Sequence, residues 1–211
     1  MHLEAGILSA LVTFIVTIGP VETAVIFAGL TSGVHRADRR KLAARAVLIA
    51  GGMLGLFAIG GGLVLSWLHI SLPAFRVAGG VLLFLQALSL TFSNPGMSSI
   101  DEGERREAKA PGDIAVFPLA FPLIAGPGSL AAAVLVMGRT TTWMDAAAVL
   151  AVLSITLAAT YGAMRLAERL VGWLGRTGAD VVGRVSGVLL AGLAVQFIFD
   201  GLRQAALFSN S

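Results

Sequence analysis

The chain has 211 residues, of which 56% are hydrophobic and 13% are charged, and its mean hydropathy is +0.87. Soluble domains carry about 25% charged residues, so this composition argues against an ordinary soluble enzyme and excludes intrinsic disorder. The chain contains no cysteine, which excludes disulfide frameworks and cysteine metal sites. The net charge of +3 is no evidence of nucleic-acid binding, because the basic residues lie between apolar runs.

Six apolar runs follow one another along the chain, and each is close to the length of about 20 residues that crosses a bilayer as a helix. None shows the alternation of an outer-membrane barrel strand, and in lipid a helix satisfies its own backbone. The sequence therefore predicts an all-α membrane protein with six transmembrane helices, the first of them retained rather than cleaved. The predicted spans are 5–32, 46–70, 77–94, 114–138, 146–164 and a short one between Arg184 and Asp200.

One polar stretch of mixed charge divides the chain almost in half, and Pro-Gly pairs flank it on both sides. Such a segment between proline and glycine is typical of a linker. The sequence thus predicts a cytoplasmic linker over 95–113, between a three-helix half at 1–94 and a second at 114–211.

Lysine and arginine are distributed unequally between the two sides of this six-span topology. Three of the 15 basic residues fall on one side, namely Arg76, Arg139 and Arg203. The crowded side has Arg36, Arg39, Arg40, Lys41, Arg45, Arg105, Arg106, Lys109, Arg165, Arg169, Arg176 and Arg184. Because cytoplasmic loops carry the excess of positive charge, we expect a multi-pass protein of the bacterial inner membrane with both termini outside.

Two blocks of sequence recur at nearly one offset. Gly19-Pro20 and Gly126-Pro127 are 107 residues apart, and Arg76 at the start of the third span is 108 residues before Arg184 at the start of the sixth. A chain rich in Gly and Leu produces some matches at any offset, so composition alone is the alternative. A true repeat of three spans requires inverted halves, a plan common among secondary transporters.

The Gly-Pro pairs lie near the middle of the first and fourth spans. Proline lacks the N–H donor and breaks the helix, which frees carbonyls before it and starts a half-helix whose N-terminus attracts anions. A plain kink closed by neighbouring helices is the alternative. The predicted binding residues are Gly19, Pro20, Glu22, Thr23, Gly126, Pro127, Gly128 and Ser129, and the hydroxyls of Thr23 and Ser129 are expected to cap the half-helices or to touch a ligand.

Glu22 is the only acidic residue well inside a predicted span. Ionisable groups at such depth usually face a cavity or a partner, so Glu22 is either a proton carrier during transport or a hydrogen-bonding group between helices. Gln86 and Gln196 are weaker candidates, for which interhelical hydrogen bonds are expected. Arg76 and Arg184 are expected to be snorkelling anchors, or alternatively to cap helix ends or latch a gate.

Motifs of enzymes are missing from the sequence, including a metal-binding His-Glu-x-x-His pair, a Gly-x-Ser-x-Gly elbow and a phosphate loop. We therefore expect no catalytic residues, no metal and no cofactor.

Four motifs of the chain resemble those of the MarC family of integral membrane proteins, and together they cover nearly all of it. The fourth-span signature is the most specific. The motifs are Gly19-Pro20 through Phe27 and Leu30, Arg76-Val77-Ala78-Gly79-Gly80, Phe117-Pro118-Leu119-Ala120-Phe121-Pro122-Leu123-Ile124-Ala125-Gly126-Pro127-Gly128-Ser129, and Arg184-Val185-Ser186-Gly187 with Val195-Gln196-Phe197-Ile198-Phe199-Asp200-Gly201.

The resemblance implies six spans in two inverted three-helix halves, a kinship with the wider LysE-like transporter superfamily and the bacterial cytoplasmic membrane. Some members of the family are regarded as transporters of neutral amino acids. The chain departs from the family at two positions, since the family usually has Asn or Asp where Gly19 stands and a small or hydroxyl residue where Glu22 stands.

Together these observations predict a secondary transporter in the lipid bilayer that binds a small zwitterion, such as a neutral amino acid, at the paired breaks. A coupling ion, either H⁺ or Na⁺, and a homo-oligomer are compatible with this interpretation, whereas nucleic acid is not an expected partner. The alternative function is a non-transporting membrane scaffold or accessory subunit.

Overall fold

The computed structural model describes residues 2–31, 34–92 and 115–205. Within these three ranges the chain forms helices and turns and no strand, which confirms an all-α protein. The predicted linker 95–113 lies outside the described residues. In chain order the elements are α1 (His2–Ile18), α2 (Pro20–Leu30), α3 (Arg36–Trp67), α4 (Leu72–Phe92), a π-helix named π1 (Ala115–Ile124), α5 (Pro127–Met137), α6 (Trp143–Arg165) and α7 (Ala167–Gln204).

Five segments of the described chain are long and apolar enough to cross a membrane. The first of them includes both α1 and α2, which meet at Gly19. The fourth predicted span is not among the five, because π1 and the 11-residue α5 divide it. The five segments are Gly6–Leu30, Arg36–Trp67, Leu72–Ser89, Trp143–Arg165 and Arg184–Gln204.

Many of the basic residues that were expected in loops lie in helices instead. The helix α3 begins at Arg36 and α7 continues from Ala167 through Arg184. Neither of these segments contains proline, and glycine alone costs only about 1 kcal/mol inside a helix. The 32 residues of α3 extend over about 48 Å, which exceeds the hydrocarbon thickness of about 30 Å, so α3 is long enough for its first turns to extend past the apolar layer.

Glycines allow α4 and α7 to pack closely side by side, and their contacts show that the two helices are antiparallel. A Cβ atom at any of these positions would clash with the facing helix. Gly80 lies against Ile198, Gly187 against Thr91, and Gly201 against Val77. Small residues of this kind are typical of helix contacts in membranes, where close backbone approach replaces the hydrophobic driving force.

The contacts between the two halves of the chain are reciprocal. The helix α3 of the first half packs on π1 and α5 of the second half, and α6 of the second half packs on α1 and α2 of the first half. Similarly, α4 contacts α5 while α7 contacts α2. Alanines make up much of this core, including Ala46, Ala50 and Ala132, which are fully buried. Each half therefore contacts mainly the other half rather than itself.

The bundle has two distinct ends. At one of them Gly138 contacts Leu72 and Arg139 pairs with Asp200, and we call it the Asp200 end. At the other end, α2 and α6 finish while α3 and α7 begin. A cavity there is lined by five arginines among other residues, and we call this the arginine end, defined by Arg36, Arg39, Arg40, Arg165 and Arg169. The helices α3 and α6 each connect the two ends.

Candidate functional site

The first break lies between α1 and α2 at Gly19, where the backbone is left-handed with φ 59° and ψ 67°. Glycine adopts this conformation without steric cost. Pro20 follows as the first residue of α2, a position where no N–H donor is needed and the proline φ is already helical. The Gly-Pro pair thus ends one helix and begins the next, as the sequence predicted.

Side chains hydrogen-bond the carbonyls that this break frees. The Thr17 carbonyl accepts from Ser129 Oγ at 3.0 Å and from Gln86 Nε2 at 3.4 Å. The Ile18 carbonyl accepts from Thr23 Oγ1 at 3.0 Å. Since an unsatisfied carbonyl in lipid costs several kcal/mol, these donors from α2, α4 and α5 stabilise the break.

The second break has a different backbone conformation from the first, but there too a glycine precedes a proline that begins the next helix. At the end of π1 the Ala125 N–H donates to the Ala120 carbonyl at 2.9 Å. Gly126 is extended, with φ −70° and ψ 166°, and Pro127 is again the first residue of the following helix. Gly126 has no Cβ, and such an atom would lie only 2.5 Å from the Pro122 carbonyl oxygen. Close packing rather than left-handed backbone therefore favours glycine here.

The two breaks meet in the middle of the bundle, although they are far apart in sequence. Ser129 in the first turn of α5 donates across to Thr17 at the end of α1. A Cβ at Gly128 would lie 2.6 Å from Gln86 Oε1 and 2.6 Å from Leu83 Cδ2. Gln86 thus lies between the breaks, with its amide nitrogen toward Thr17 and its amide oxygen toward Gly128.

The predicted binding residues occupy both sides of this junction at different depths. The most deeply buried are Thr23, Gly126, Gly128 and Ser129, whereas Gly19, Pro20 and Glu22 are half-buried and Pro127 is exposed. The hydroxyls of Thr23 and Ser129 donate to carbonyls, and neither Gly19 nor Gly126 makes a side-chain cap bond. At this junction the two hydroxyls therefore do not cap their half-helices.

Both half-helices direct amide groups toward the junction. The first hydrogen bonds inside them run from the Thr23 N–H to the Gly19 carbonyl at 2.8 Å and from the Leu130 N–H to the Gly126 carbonyl at 2.9 Å. The amides before Thr23 and Leu130 have no acceptor one turn earlier in their own helix. The positive ends of two helix dipoles thus lie beside the carbonyls of Thr17 and Ile18.

Glu22 is the third residue of α2, and its side chain turns back toward the break. Its Oε2 atom would lie 3.1 Å from a Cβ at Gly19. The structure records no hydrogen bond from this carboxyl to any residue that it describes, so the alternative of a hydrogen bond between helices finds no support there. A carboxylate in the first turn of a helix interacts favourably with the helix dipole.

Arg76 and Arg184 lie in different environments at opposite ends of the α4–α7 pair. Arg184 is exposed, as an anchor would be, but Arg76 is only 2% exposed. The Nε and Nη1 atoms of Arg76 are buried without a hydrogen-bond acceptor among the described residues. Nearby, Arg139 Nη2 pairs with Asp200 Oδ2 at 3.1 Å, and Gln196 donates to the other carboxylate oxygen at 2.8 Å. Burial of the guanidinium does not fit a snorkelling role for Arg76.

A cavity of about 430 Å³ lies at the arginine end, and none of the eight predicted binding residues lines it. Within the ranges that the structure describes, no group of three or more His, Asp or Glu side chains is placed to hold a metal ion.

Sequence reasoning missed one part of the junction and gave too little weight to another. The Thr17 carbonyl is the acceptor that links the breaks, but a backbone atom leaves no signal in residue types. Gln86 was rated a weak candidate, and the structure confirms its interhelical bond. For Gln196 the expectation was wrong, because its amide bonds Asp200 four residues along the same helix. A polar side chain facing a predicted break was the available signal for Gln86.

Comparison with known proteins gives one consistent match. The model of the MarC family integral membrane protein matches residues 5–206. A UPF0056 membrane protein of Aquifex aeolicus (strain VF5) is 32% identical, over 95% of this chain and 94% of its own. The UPF0056 membrane protein YvbG of Bacillus subtilis (strain 168) is 31% identical over 87% and 88%, and YhcE of Escherichia coli (strain K12) 30% over 88% and 86%. No solved structure matches the chain.

Proposed function

Since the chain belongs to the MarC family of integral membrane proteins, we propose that it is a secondary transporter of small solutes in the bacterial inner membrane. Its substrates would be small zwitterions such as neutral amino acids, bound where the two helix breaks meet. The observation that supports this most directly is the hydrogen bond from Ser129 to the Thr17 carbonyl, which joins the first turn of one half-helix to the freed backbone of the other break.

The proposed architecture is a pair of inverted three-helix repeats with six spans. Reciprocal packing of the halves supports it, as does the antiparallel contact of α4 with α7, the last helices of the two halves. In this proposal π1 and α5 together cross the membrane as one discontinuous span. The arginine end faces the cytoplasm, and both termini lie outside. A relationship to LysE-like transporters is part of the same proposal.

The junction offers complementary groups for the two charges of a zwitterion. The substrate carboxylate would accept from the amides of Gly128 and Ser129 at the start of α5, where the helix dipole favours an anion. The ammonium would donate to the carbonyls of Thr17 and Ile18, with the Glu22 carboxyl one turn away. In the present conformation Ser129 and Gln86 donate to the Thr17 carbonyl and Thr23 donates to the Ile18 carbonyl, so substrate would replace these side-chain donors.

The test is transport by the purified protein in liposomes, with a panel of labelled amino acids and with or without a pH gradient. We expect uptake of at least one neutral amino acid. Gly128→Leu should abolish it, because a side chain there would occupy the space of Gln86 and Leu83. Gly62→Leu is the matched control, since Gly62 has nothing within 4 Å.

A milder pair of variants separates the site from general folding defects. Ser129→Ala removes the bond between the breaks, whereas Ser154→Ala removes a bond from an exposed serine to the Leu150 carbonyl of its own helix. We expect a changed KM or rate only for Ser129→Ala. Equal transport by both variants and the unmodified protein would contradict a site at the junction.

A non-transporting membrane scaffold is the second candidate, and one observation favours it. The freed carbonyls of Thr17 and Ile18 are satisfied by the protein's own side chains, and the cavity lies elsewhere. The liposome assay distinguishes the two functions, because a scaffold would move none of the amino acids under either condition.

A further inference from the structure

Arg76 is a buried charge that the junction of the breaks does not explain. Its side chain is almost fully buried, and its Nε and Nη1 atoms have no hydrogen-bond acceptor among the described residues. A buried charge is strongly destabilising unless it is paired and hydrogen-bonded. Any conformation that brings an acceptor to this guanidinium is therefore stabilised relative to the one described.

The position of Arg76 is between α5 and α7, toward the Asp200 end. On a helix, residues three and four apart lie on the same face. Three residues after Arg76, Gly79 lies against Leu135 of α5, and one residue further along α4, Gly80 lies against Ile198 of α7. The guanidinium is thus one helical turn nearer the Asp200 end than these two close contacts, beside both neighbouring helices.

Asp200 is the carboxylate, among the described residues, that interacts electrostatically with Arg76, and Arg139 opposes it with a like charge. Asp200 already accepts hydrogen bonds from Arg139 at 3.1 Å and from Gln196 at 2.8 Å. The Arg139 side chain is 44% exposed, and its guanidinium also lies 5.8 Å from the Phe197 ring centre. In this conformation Asp200 is therefore paired with the arginine that water can solvate, not with the buried one.

The observed pairing is the less favourable of the two that Asp200 can make. A salt bridge at an exposed position contributes little, because water solvates both charges in its absence. A buried charge without its partner is costly. Transfer of the carboxylate from Arg139 to Arg76 would therefore lose little and would satisfy a buried donor.

The same transfer would change how α5 is held at this end of the bundle. Arg76 and Asp200 belong to α4 and α7, which pack so closely that a Cβ at Gly80 would lie 2.8 Å from the Ala194 carbonyl oxygen. Arg139 instead follows the end of α5. Its pair with Asp200 ties α5 to α7, whereas a pair of Arg76 with Asp200 would lie within the α4–α7 pair. The exchange would thus release the end of α5 that is farther from the junction.

We propose that Arg76 and Arg139 are alternative partners of Asp200, and that transfer of the carboxylate to Arg76 opens the Asp200 end beside α5. This exchange is a step of the proposed transport function, on which it rests, because a transporter opens to each side of the membrane in turn. In the present conformation the pair with Arg139 holds this end closed. In the open conformation α5 moves away from α7, Asp200 pairs with Arg76, and water solvates Arg139.

The reaction rate of a buried thiol measures this opening without any transport assay. Leu135→Cys introduces a thiol into a chain that has no cysteine, at a buried position that faces Gly79 of α4. The rate of its reaction with a hydrophilic maleimide is measured on the purified full-length protein in lipid nanodiscs. Ala46→Cys, at a buried position in α3, is the control reporter for general loosening of the bundle.

We expect Arg139→Gln to raise the labelling rate of Leu135→Cys at least about 5-fold, and Arg76→Met to lower it at least about 5-fold. Arg184→Met is the matched control, because it removes an exposed arginine at the other end of the α4–α7 pair, and it should change the rate by less than about 2-fold. Asp200→Asn removes the carboxylate from both pairs. In that background Arg139→Gln should have no effect, and the effect of Arg76→Met should be much smaller.

Several outcomes would overturn the exchange. An equal effect of Arg76→Met with and without the Asp200 carboxylate would show that opening only hydrates the guanidinium. An unchanged rate in Arg139→Gln would show that its pair does not hold the end closed, and a rise at both reporters would show general loosening. The expected labelling in a protein that moves no amino acid would contradict the transport function alone. Active transport without the expected labelling would contradict the exchange alone.

Discussion

At Gly19 the chain passes through the left-handed backbone region, where a side chain normally costs about 1–2 kcal/mol. Asn and Asp tolerate that region better than other residues. The left-handed φ of 59° is thus compatible with the Asn or Asp that the resemblance to the MarC family implies at this position.

Gly19→Ala should therefore lower the free energy of unfolding by about 1–2 kcal/mol, and Gly19→Asn should lower it by less. Steric contact is a minor contribution, because the nearest atom to a new Cβ is the mobile Oε2 of Glu22. The measurement is unfolding in mixed detergent micelles. Gly52→Ala is the control, since Gly52 has a helical backbone and nothing within 4 Å. An alanine at Gly19 that is as stable as asparagine would contradict the explanation.

Arg76 is a buried residue whose Nε and Nη1 atoms have no hydrogen-bond acceptor among the described residues. Its guanidinium interacts with Asp200 and also with the like charge of Arg139, while Asp200 already has Arg139 and Gln196 as donors. A buried charge whose donors lack acceptors has a desolvation cost that an apolar residue of similar size does not have. The local geometry therefore indicates that Arg76 does not contribute to stability in this conformation.

We expect Arg76→Met to leave the free energy of unfolding unchanged or to raise it. Arg184→Met, at an exposed position, is the reference and should change it by less than about 0.5 kcal/mol. Unfolding in detergent measures both. If Arg76→Met is stable but inactive in liposomes, Arg76 has a role in transport, whereas a stability loss above about 1 kcal/mol would show that it has a partner.

At the scale of elements, the two breaks were predictable because Gly-Pro pairs have strong local effects. Their meeting was not, because Ser129 and Thr17 are separated by 112 residues and only packing brings them together. The lengths of α3 and α7 were underestimated for a related reason. Charged residues indicate where a helix leaves the apolar layer, but they do not end it, and these segments contain no proline.

The antiparallel contact of α4 with α7 can be tested by cross-linking, since the chain has no native cysteine. In Val77→Cys/Gly201→Cys the new thiols are expected to form a disulfide after a small shift of the helices, because a Cβ at Gly201 would lie 2.7 Å from Val77 Cγ2 and 2.8 Å from the Pro73 carbonyl oxygen. Val77→Cys/Gly187→Cys is the control, with its second thiol about 20 Å farther along α7. After oxidation and proteolysis between the halves, the two fragments should stay joined in Val77→Cys/Gly201→Cys and separate in Val77→Cys/Gly187→Cys. Fragments that stay joined only in the second variant would refute the antiparallel packing.

At the scale of the whole molecule, the excess of basic residues predicts the orientation of the protein in the membrane, and the structure shows which of these residues lie together. Arginines from the start of α3 and from the turn between α6 and α7 lie at the same end of the bundle. The positive-inside rule concerns basic residues near span ends, so their common location strengthens the expectation that this end is cytoplasmic. The number of these residues can be read from the sequence, but their clustering at one end of the bundle cannot.

Single cysteines test this orientation directly. In intact bacteria, a membrane-impermeant maleimide should label Ser66→Cys and Thr141→Cys, which replace exposed residues toward the Asp200 end. It should not label Ala37→Cys or Leu166→Cys, which replace exposed residues at the arginine end. All four should react after permeabilisation, which serves as the control for thiol accessibility. The reverse pattern would invert the topology. Labelling of Ala37→Cys and Ser66→Cys from the same side would mean that α3 does not cross the membrane, which would contradict the proposed architecture of six spans.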